Sequence, residues 1–278
     1  MQSRTRKNGR FATLFISLLL AAAFASAQAQ APAAAVERGS ATAKGGFRNE
    51  NDIRDKFINW REDGDARAWL TAIGYDTSTI KDVTAVKPSG EKADVVVTVT
   101  KSDGAERRHG ISIKLVSSPN GFNQIDKRWL RQYAKMWNIL PEIVAALRLF
   151  VGEDPPVGKT RRPERMFLTE LSKEVQAAVV GFFSANKEQI VADLLRGEGT
   201  GRADLFMVAW KPGRETRWKI VTTNEAIRFF GDGPVEITQN GNLKIGRITM
   251  QRKGGDGGRE TAKMLQFKMN PSLVFEMK

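Results

Sequence analysis

The 278-residue chain has no cysteine and a single histidine, His109. The first absence excludes disulfide scaffolds, cysteine zinc sites and thiol nucleophiles. The second excludes chemistries that need paired or metal-binding histidines. His109 itself is expected as a solvated side chain at the start of a strand. Long apolar runs are scarce as well. The one from Phe11 to Phe24 falls short of the roughly 20 residues that a membrane-spanning helix needs. Acidic residues are outnumbered, 31 Asp and Glu against 44 Lys and Arg, which leaves a net charge of +13. A surplus of that size points to a polyanionic partner. Hydrophobic content of 41% suits a globular core, and the length allows one large domain or two small ones.

Arg4, Arg6, Lys7 and Arg10 precede the apolar run, and Ala25-Ser26-Ala27 follows it. This is the layout of a secretory signal peptide, with cleavage after Ala27 or Ala29. The chain therefore divides into a leader (1–27), a flexible linker (28–45) and a single domain (46–278). Removing the leader takes away four basic and no acidic residues, leaving +9 of the +13. The basic character belongs to the domain. A translation start near Val36 implies a cytoplasmic protein; a processed leader implies a secreted or periplasmic one. Neither has a membrane association once the leader is gone.

The centre of the chain is a hairpin. Strict alternation puts Asp94, Val96, Thr98 and Thr100 on one face of a strand and Val95, Val97 and Val99 on the other. Lys101-Ser102-Asp103-Gly104 reads as the turn. On the returning strand Ile111, Ile113 and Leu115 are the apolar face, while Ser112 and Lys114 point the opposite way. If the apolar faces share a core, Asp94, Ser112 and Lys114 converge on the other side. A carboxylate and a lysine so placed can hold Mg²⁺ and water against a phosphate. From these three residues alone an ordinary amphipathic hairpin is the better reading, because polar alternation is common.

Before the hairpin, a helix is expected from Asn49, its cap, with Ile53, Phe57 and Trp60 inward. Glu50 is then either a first-turn residue favoured by the helix dipole or an extra metal-site ligand. A second helix covers Asp65 to Ile73 and stops at Gly74. After the hairpin, Ser117 to Gly121 reads as a loop and Asn123 as the cap of a helix running to Trp137. Ile125, Trp129, Tyr133 and Met136 would be its buried stripe. Lys127, Arg131 and Lys135, with Arg128 beside them, would face DNA phosphates. Phe122 is either a loop anchor or a wedge between base pairs. Gln124 and Lys127, one helical turn apart, would reach base edges. Further helices are expected over Glu142–Phe150, Glu170–Phe183, Lys187–Leu195 and Thr223–Phe230, and strands over Leu205–Trp210, Arg217–Val221, Val235–Thr238, Lys244–Arg252 and Met264–Met269. Gly158-Lys159-Thr160 imitates a phosphate-binding loop, but Glu153 stands where the first glycine is required. The loop after Arg252, flanked by Arg252, Lys253, Arg259 and Lys263, is expected to be a flexible basic segment that closes on DNA.

Five words carry a family resemblance: Lys92-Ala93-Asp94, Ile111 to Ser117, Gly121 to Lys127, Gln251 to Asp256 and Met264 to Lys268. In this order they resemble the HinP-type type II restriction endonucleases of the PD-(D/E)xK nuclease superfamily, from about Val36 to the C-terminus. The resemblance implies an α/β, restriction-endonuclease-like fold with a central mixed sheet flanked by helices. It implies Mg²⁺-dependent cleavage of double-stranded DNA at GCGC that leaves 5′-phosphate ends, with Mn²⁺ able to substitute. Asp94, Ser112 and the Ile113 carbonyl would hold the metal, and Asp94, Ser112, Lys114 and Glu50 would be catalytic. A methyltransferase acting on the same site is the implied companion. Ser112 departs from the pattern, since the family carries Gln there and the wider superfamily Asp or Glu. The spacing from Asp94 to Lys114 is also one residue shorter, which a hairpin turn absorbs. Two other readings stay open: a secreted non-specific DNase, which the leader favours, and a DNA-binding protein that has lost catalysis, which Ser112 motivates.

Overall fold

The computed structural model describes residues 44–118, 120–213, 215–255 and 258–277. The leader and most of the linker lie outside the described residues. The linker's last two residues, 44 and 45, already belong to the first helix, α1 (44–58). Asn49 is therefore an interior helical residue and not a cap; it is 3% exposed. Ile53, Phe57 and Trp60 are buried as their spacing predicts. The second helix, α2 (Gly64–Ala72), is capped by the Asp63 side chain, which accepts from the Ala66 N–H. It ends where Gly74 turns to φ +94°, a conformation that costs glycine little.

The hairpin forms as expected. β1 (Ile80–Val86), β2 (Val95–Lys101) and β3 (Glu106–Val116) run antiparallel in sequence. At the turn between β2 and β3, Asp103 accepts from the Ala105 N–H and Gly104 takes φ +83°. Beyond β3 lies β5 (Leu205–Trp210), parallel to it, and then β6 (Arg217–Thr222), antiparallel. This gives a mixed five-stranded sheet in the order β1-β2-β3-β5-β6. β5 is buried almost throughout because helices cover both faces of it, which is why it reads as an unbroken apolar run. Leu205 and Met207 join α1, α2 and the β2–β3 valines and isoleucines in one core. Phe206 and Val208 join the other, which contains α4 (Pro141–Val151), α5 (Lys173–Ala185), α6 (Lys187–Leu195) and α7 (Thr223–Gly231).

The stretch after the hairpin departs from expectation. Asn123–Arg128 is a strand, β4, and only Leu130–Met136 is helical, as α3. β4 pairs with β10 (Leu265–Met269), from Met269 opposite Asn123 to Leu265 opposite Arg128. The fourfold spacing of Ile125, Trp129 and Tyr133 imitated a helix. A distant strand outweighed it, because pairing and burial dominate intrinsic preference in sheets. Trp129 is the N-cap of α3. Lys127, Arg131 and Lys135 consequently share no helical face: Lys127 sits in the strand, and Arg131 and Lys135 are exposed on the short helix. The segment expected as one strand, Lys244–Arg252, splits into β8 (Leu243–Ile245) and β9 (Ile248–Arg252). Gly246, at φ +56°, makes the tight turn between them; a side chain there would meet the Phe230 carbonyl at 2.6 Å. With β7 (Val235–Ile237) these strands form a second, antiparallel sheet, β4-β10-β9-β8-β7.

The second sheet packs one face, with Leu243, Ile245, Ile248, Met250, Leu265, Phe267 and Met269, into the larger core. Its other face is polar. The register slips between Phe267 and Lys268, so that Gln266 faces Lys127 and Lys268 faces Gln124, while Ile125 has no partner. That bulge puts Gln124 and Lys127 on the same face although they are three residues apart, since cross-strand partners share a face. Gln251, opposite Gln266, and Thr249, opposite Lys268, join them.

Beside β3, Gly110 allows the chain from α6 to pass close on its way to β5. A Cβ on Gly110 would lie 2.2 Å from the Arg202 carbonyl oxygen, and Gly110 accepts from the Asp204 N–H at 2.8 Å. Gly110→Ala is expected to cost about 1–3 kcal/mol, the range for overpacking a close contact. Urea denaturation measures it, and an unchanged midpoint would show that the approach is less confined than the backbone implies.

Candidate active site

Asp94 immediately precedes β2, and its own N–H donates to the Ile111 carbonyl at 2.9 Å. It is thereby locked into the ladder with its side chain on the Ser112 and Lys114 face. Asp94 Oδ2 accepts from the Ile113 N–H at 2.6 Å and lies 3.4 Å from Ser112 Oγ and 3.5 Å from Lys114 Nζ. Lys114 Nζ also donates to Ser112 Oγ at 3.2 Å and to the Ile113 carbonyl at 2.8 Å. The predicted convergence of Asp94, Ser112 and Lys114 is therefore present. Ser112 is 2% exposed, while Asp94 and Lys114 reach a cleft of about 570 Å³ between the two sheets.

Three oxygens, from Asp94, Ser112 and the Ile113 carbonyl, surround one ammonium. A divalent cation fits this donor set: all oxygen, one carboxylate, with room in the cleft for the water that Mg²⁺ retains. It would compete with the Lys114 ammonium for the same three atoms. No cluster of three His, Cys, Asp or Glu side chains occurs among the described residues, so the charge offered to a cation is low. Glu50 is placed elsewhere. Its carboxylate pairs with Lys87 at 2.9 Å, and it does not line the cleft.

β4 supplies the opposite wall. Asp126 Oδ1 accepts from the Tyr133 hydroxyl at 2.6 Å and from Arg128 Nε at 3.0 Å. Burial, with the adjacent Asp126 charge, pushes the Tyr133 hydroxyl far above its ordinary range, so it stays a donor. Hydrogen bonding to Asp126 raises Arg128 further. Lys92 also lines the cleft, and its ammonium donates to the Ile125 carbonyl at 2.9 Å. Burial pushes Lys92 down to about 8, opposed by Asp126 and reinforced by the nearby Lys114 charge. The rim is Gly197-Glu198-Gly199-Thr200-Gly201. Gly197 and Gly201 press on Lys92 and Glu91, where added side chains would fall within 2.8 and 2.7 Å. The sequence reading missed Lys92, Asp126, Tyr133 and this rim as site residues. The alternating glycines were the available signal for the rim.

The other expected DNA contacts are scattered. Phe122 is 57% exposed, which removes the loop-anchor reading. Arg128 turns into the cleft toward Asp126, and Arg252 lies 3.6 Å from Glu164. Lys263 pairs with Glu260, and Arg259 is exposed. The Lys253 N–H donates to the Met264 carbonyl, which closes the loop's neck; its tip, 256–257, lies outside the described residues. His109 is half-buried within β3 and shares a 2.7 Å hydrogen bond with the Tyr75 hydroxyl.

Residues 73–275 match the family described as R.HinP1I restriction endonuclease. The chain belongs to that family. It is a type II site-specific deoxyribonuclease. A crystal structure of the restriction endonuclease MspI in complex with its cognate DNA shares the fold, with a TM-score of 0.57 and 16% identity over 79% of this chain and 87% of that one. No curated protein sequence matches the chain. The matched residues of this enzyme begin after α1, so Glu50 lies outside them. No helix among the described residues is long and apolar enough to cross a membrane.

Asp94→Ala and Lys114→Ala should each abolish cleavage while duplex binding survives, because both side chains face the cleft and neither supports a core. Gel cleavage beside an anisotropy titration tests this. Wild-type cleavage by either variant would remove the hairpin from the chemistry.

Proposed function

We propose that this enzyme cuts duplex DNA at GCGC with Mg²⁺, leaving a 5′-phosphate and a 3′-hydroxyl. The observation that supports this reading best is the convergence of Asp94, Ser112 and the Ile113 carbonyl beside Lys114. These groups sit in a cleft whose far wall is β4, the strand that carries Gln124 and Lys127 on its other face. Asp94, Ser112 and the Ile113 carbonyl would hold the cation. Mg²⁺ bound there supplies positive charge to the scissile phosphate and acidifies a water. Lys114 is the donor: with the three oxygens given to a cation, its ammonium would turn to the phosphate and stabilise charge developing in the transition state. Asp94 is held for its task by the Ile113 N–H, a hydrogen bond to a charged acceptor worth about 1.5–3 kcal/mol.

Phe122, exposed at the start of β4, is the wedge between base pairs. Gln124 and Lys127 reach base edges from the face that the bulge gives them. Arg128 in the cleft, and Arg131, Arg252, Lys253, Arg259 and Lys263 outside it, would neutralise phosphates. Residues 46–278 act as one domain in this reading. A host that cleaves GCGC must protect its own copies, which implies a methyltransferase for the same sequence. It also implies a cytoplasmic enzyme, as a start near Val36 provides.

Ser112 sets the metal requirement. Its neutral hydroxyl offers a dipole where Asp or Glu would offer a charge, so Mg²⁺ should bind weakly and Mn²⁺ should support cleavage at lower concentration. The test is a labelled duplex with one GCGC site, titrated with either metal and then chelated. Cleavage within the site, 5′-phosphate ends and complete loss on chelation are expected. Ser112→Gln should keep or lower the metal concentration for half-maximal cleavage, and Ser112→Ala should cost less than Asp94→Ala. A Ser112→Ala enzyme as inactive as Asp94→Ala would make Ser112 an essential ligand and overturn this ranking. Binding without nicking in both metals would favour a DNA-binding protein that has lost catalysis.

Binding should also fall with salt. Replacing Lys127 and Arg131 together should flatten the slope of log K against log salt by about 0.9 for each phosphate that is no longer neutralised. An unchanged slope would take both residues off the DNA.

A further inference from the structure

Lys92 lies two residues before Asp94, and the cleavage chemistry above does not use it. Its backbone N–H donates to the Gly201 carbonyl at 3.1 Å, and a Cβ at Gly197 would approach its side chain to 2.8 Å. The stem therefore has little room. Its ammonium crosses the cleft and donates to the Ile125 carbonyl at 2.9 Å, with Asp126 Oδ2 3.8 Å away. Lys92 thus connects the strand that carries Asp94 to β4 of the second sheet.

Ile125 is the bulged residue, without a partner in the register between β4 and β10. A bulge leaves its extra residue outside the ladder, and a buried carbonyl without a donor costs about 1–3 kcal/mol. Ile125 is 8% exposed and lines the cleft, and the Lys92 ammonium gives its carbonyl a donor fixed to the first sheet. The bulge in turn is what places Gln124 and Lys127 on one face. Asp126, the next residue, is fixed by Tyr133 and Arg128, which gives the ammonium a rigid carboxylate to lie against.

Resting on the nuclease reading, we propose that Lys92 is a positioning residue. It holds the bulge of β4 at a set distance from Asp94, so that hydrolysis proceeds only when Gln124 and Lys127 are seated on the correct sequence. Its contribution is to the geometry between base reading and cleavage, with little direct effect on affinity.

The test compares wild type, Lys92→Met and Lys92→Arg. Duplex affinity is measured without metal, and single-turnover cleavage is measured with saturating enzyme on a GCGC duplex and on one with a single altered base pair. For Lys92→Met the affinity should change by less than about threefold, the GCGC rate should fall by at least about tenfold, and the ratio of the two cleavage rates should shrink. Lys92→Arg, which keeps a donor for the Ile125 carbonyl, should recover part of both rate and ratio. Full-rate, fully selective cleavage by Lys92→Met overturns the proposal. So does a loss of affinity as large as the loss of rate, or a Lys92→Arg enzyme no better than Lys92→Met. If Lys92→Met does not fold, Lys92→Gln, with a neutral and shorter side chain, takes its place, and the same outcomes support or overturn the proposal. A wild-type enzyme that cuts neither duplex defeats the nuclease reading, and the proposal with it; wild-type cleavage indifferent to Lys92 defeats the proposal alone.

Discussion

A carboxylate at the foot of one strand and an amide in the next lie 2.6 Å apart, and the hydrogen bond between Asp94 and Ile113 sets the position of everything in the cleft. It draws Asp94 onto the face that Ser112 and Lys114 occupy, and it leaves the Ile113 carbonyl to face the same ammonium. The bond exists because the β2–β3 register pairs Val95 with Ile111. That register holds because a one-residue slip would turn Val95, Val97, Ile111 and Ile113 out of the core. The hydrophobic pattern and the catalytic geometry are therefore one constraint. Gly110 extends it: the close passage of Arg202 lets β5 run parallel to β3 and carries the glycine rim to the cleft.

The hairpin was legible because period-two alternation and a polar turn leave few alternatives. The valine face, the convergence of Asp94, Ser112 and Lys114, and strands β5 and β6 followed from local pattern. Asn123–Arg128 was not legible. Ile125, Trp129 and Tyr133 repeat at helical spacing, while the partner that makes a strand of this segment, Leu265–Met269, lies far along the chain. The grouping of Gln124 and Lys127 survived that error for a different reason, since a bulge does for a strand what one turn does for a helix. Glu50 failed as a cleft residue because its partner, Lys87, comes from the end of β1, which no local pattern reveals. Lys92 and Asp126 were hidden likewise. Their roles depend on two sheets meeting, and each sits in a short word whose apolar neighbours gave the stronger signal.

The two sheets divide the work of a site-specific nuclease. The mixed sheet, with β5 buried at its centre, fixes the backbone from which Asp94 and Lys114 project. The antiparallel sheet spends one face on the core and leaves the other polar, with Gln124, Lys127, Thr249, Gln251, Gln266 and Lys268 in register. A positive charge surplus draws DNA to the surface without regard to sequence; discrimination has to come from groups held at fixed spacing against the base edges. The substitution at Ser112 bears on the first sheet only. It adds no charge to what Asp94 offers a cation, and the fold and the polar face do not depend on it.

Digestion of a plasmid of known sequence by the purified enzyme in Mg²⁺ or Mn²⁺ tests the central claim most directly. The account predicts discrete fragments whose ends all map to GCGC. A smear would mean that the cleft hydrolyses DNA without reading it, and fragments ending at another sequence would contradict the assigned specificity. An intact plasmid at every metal concentration would contradict the account of the cleft itself.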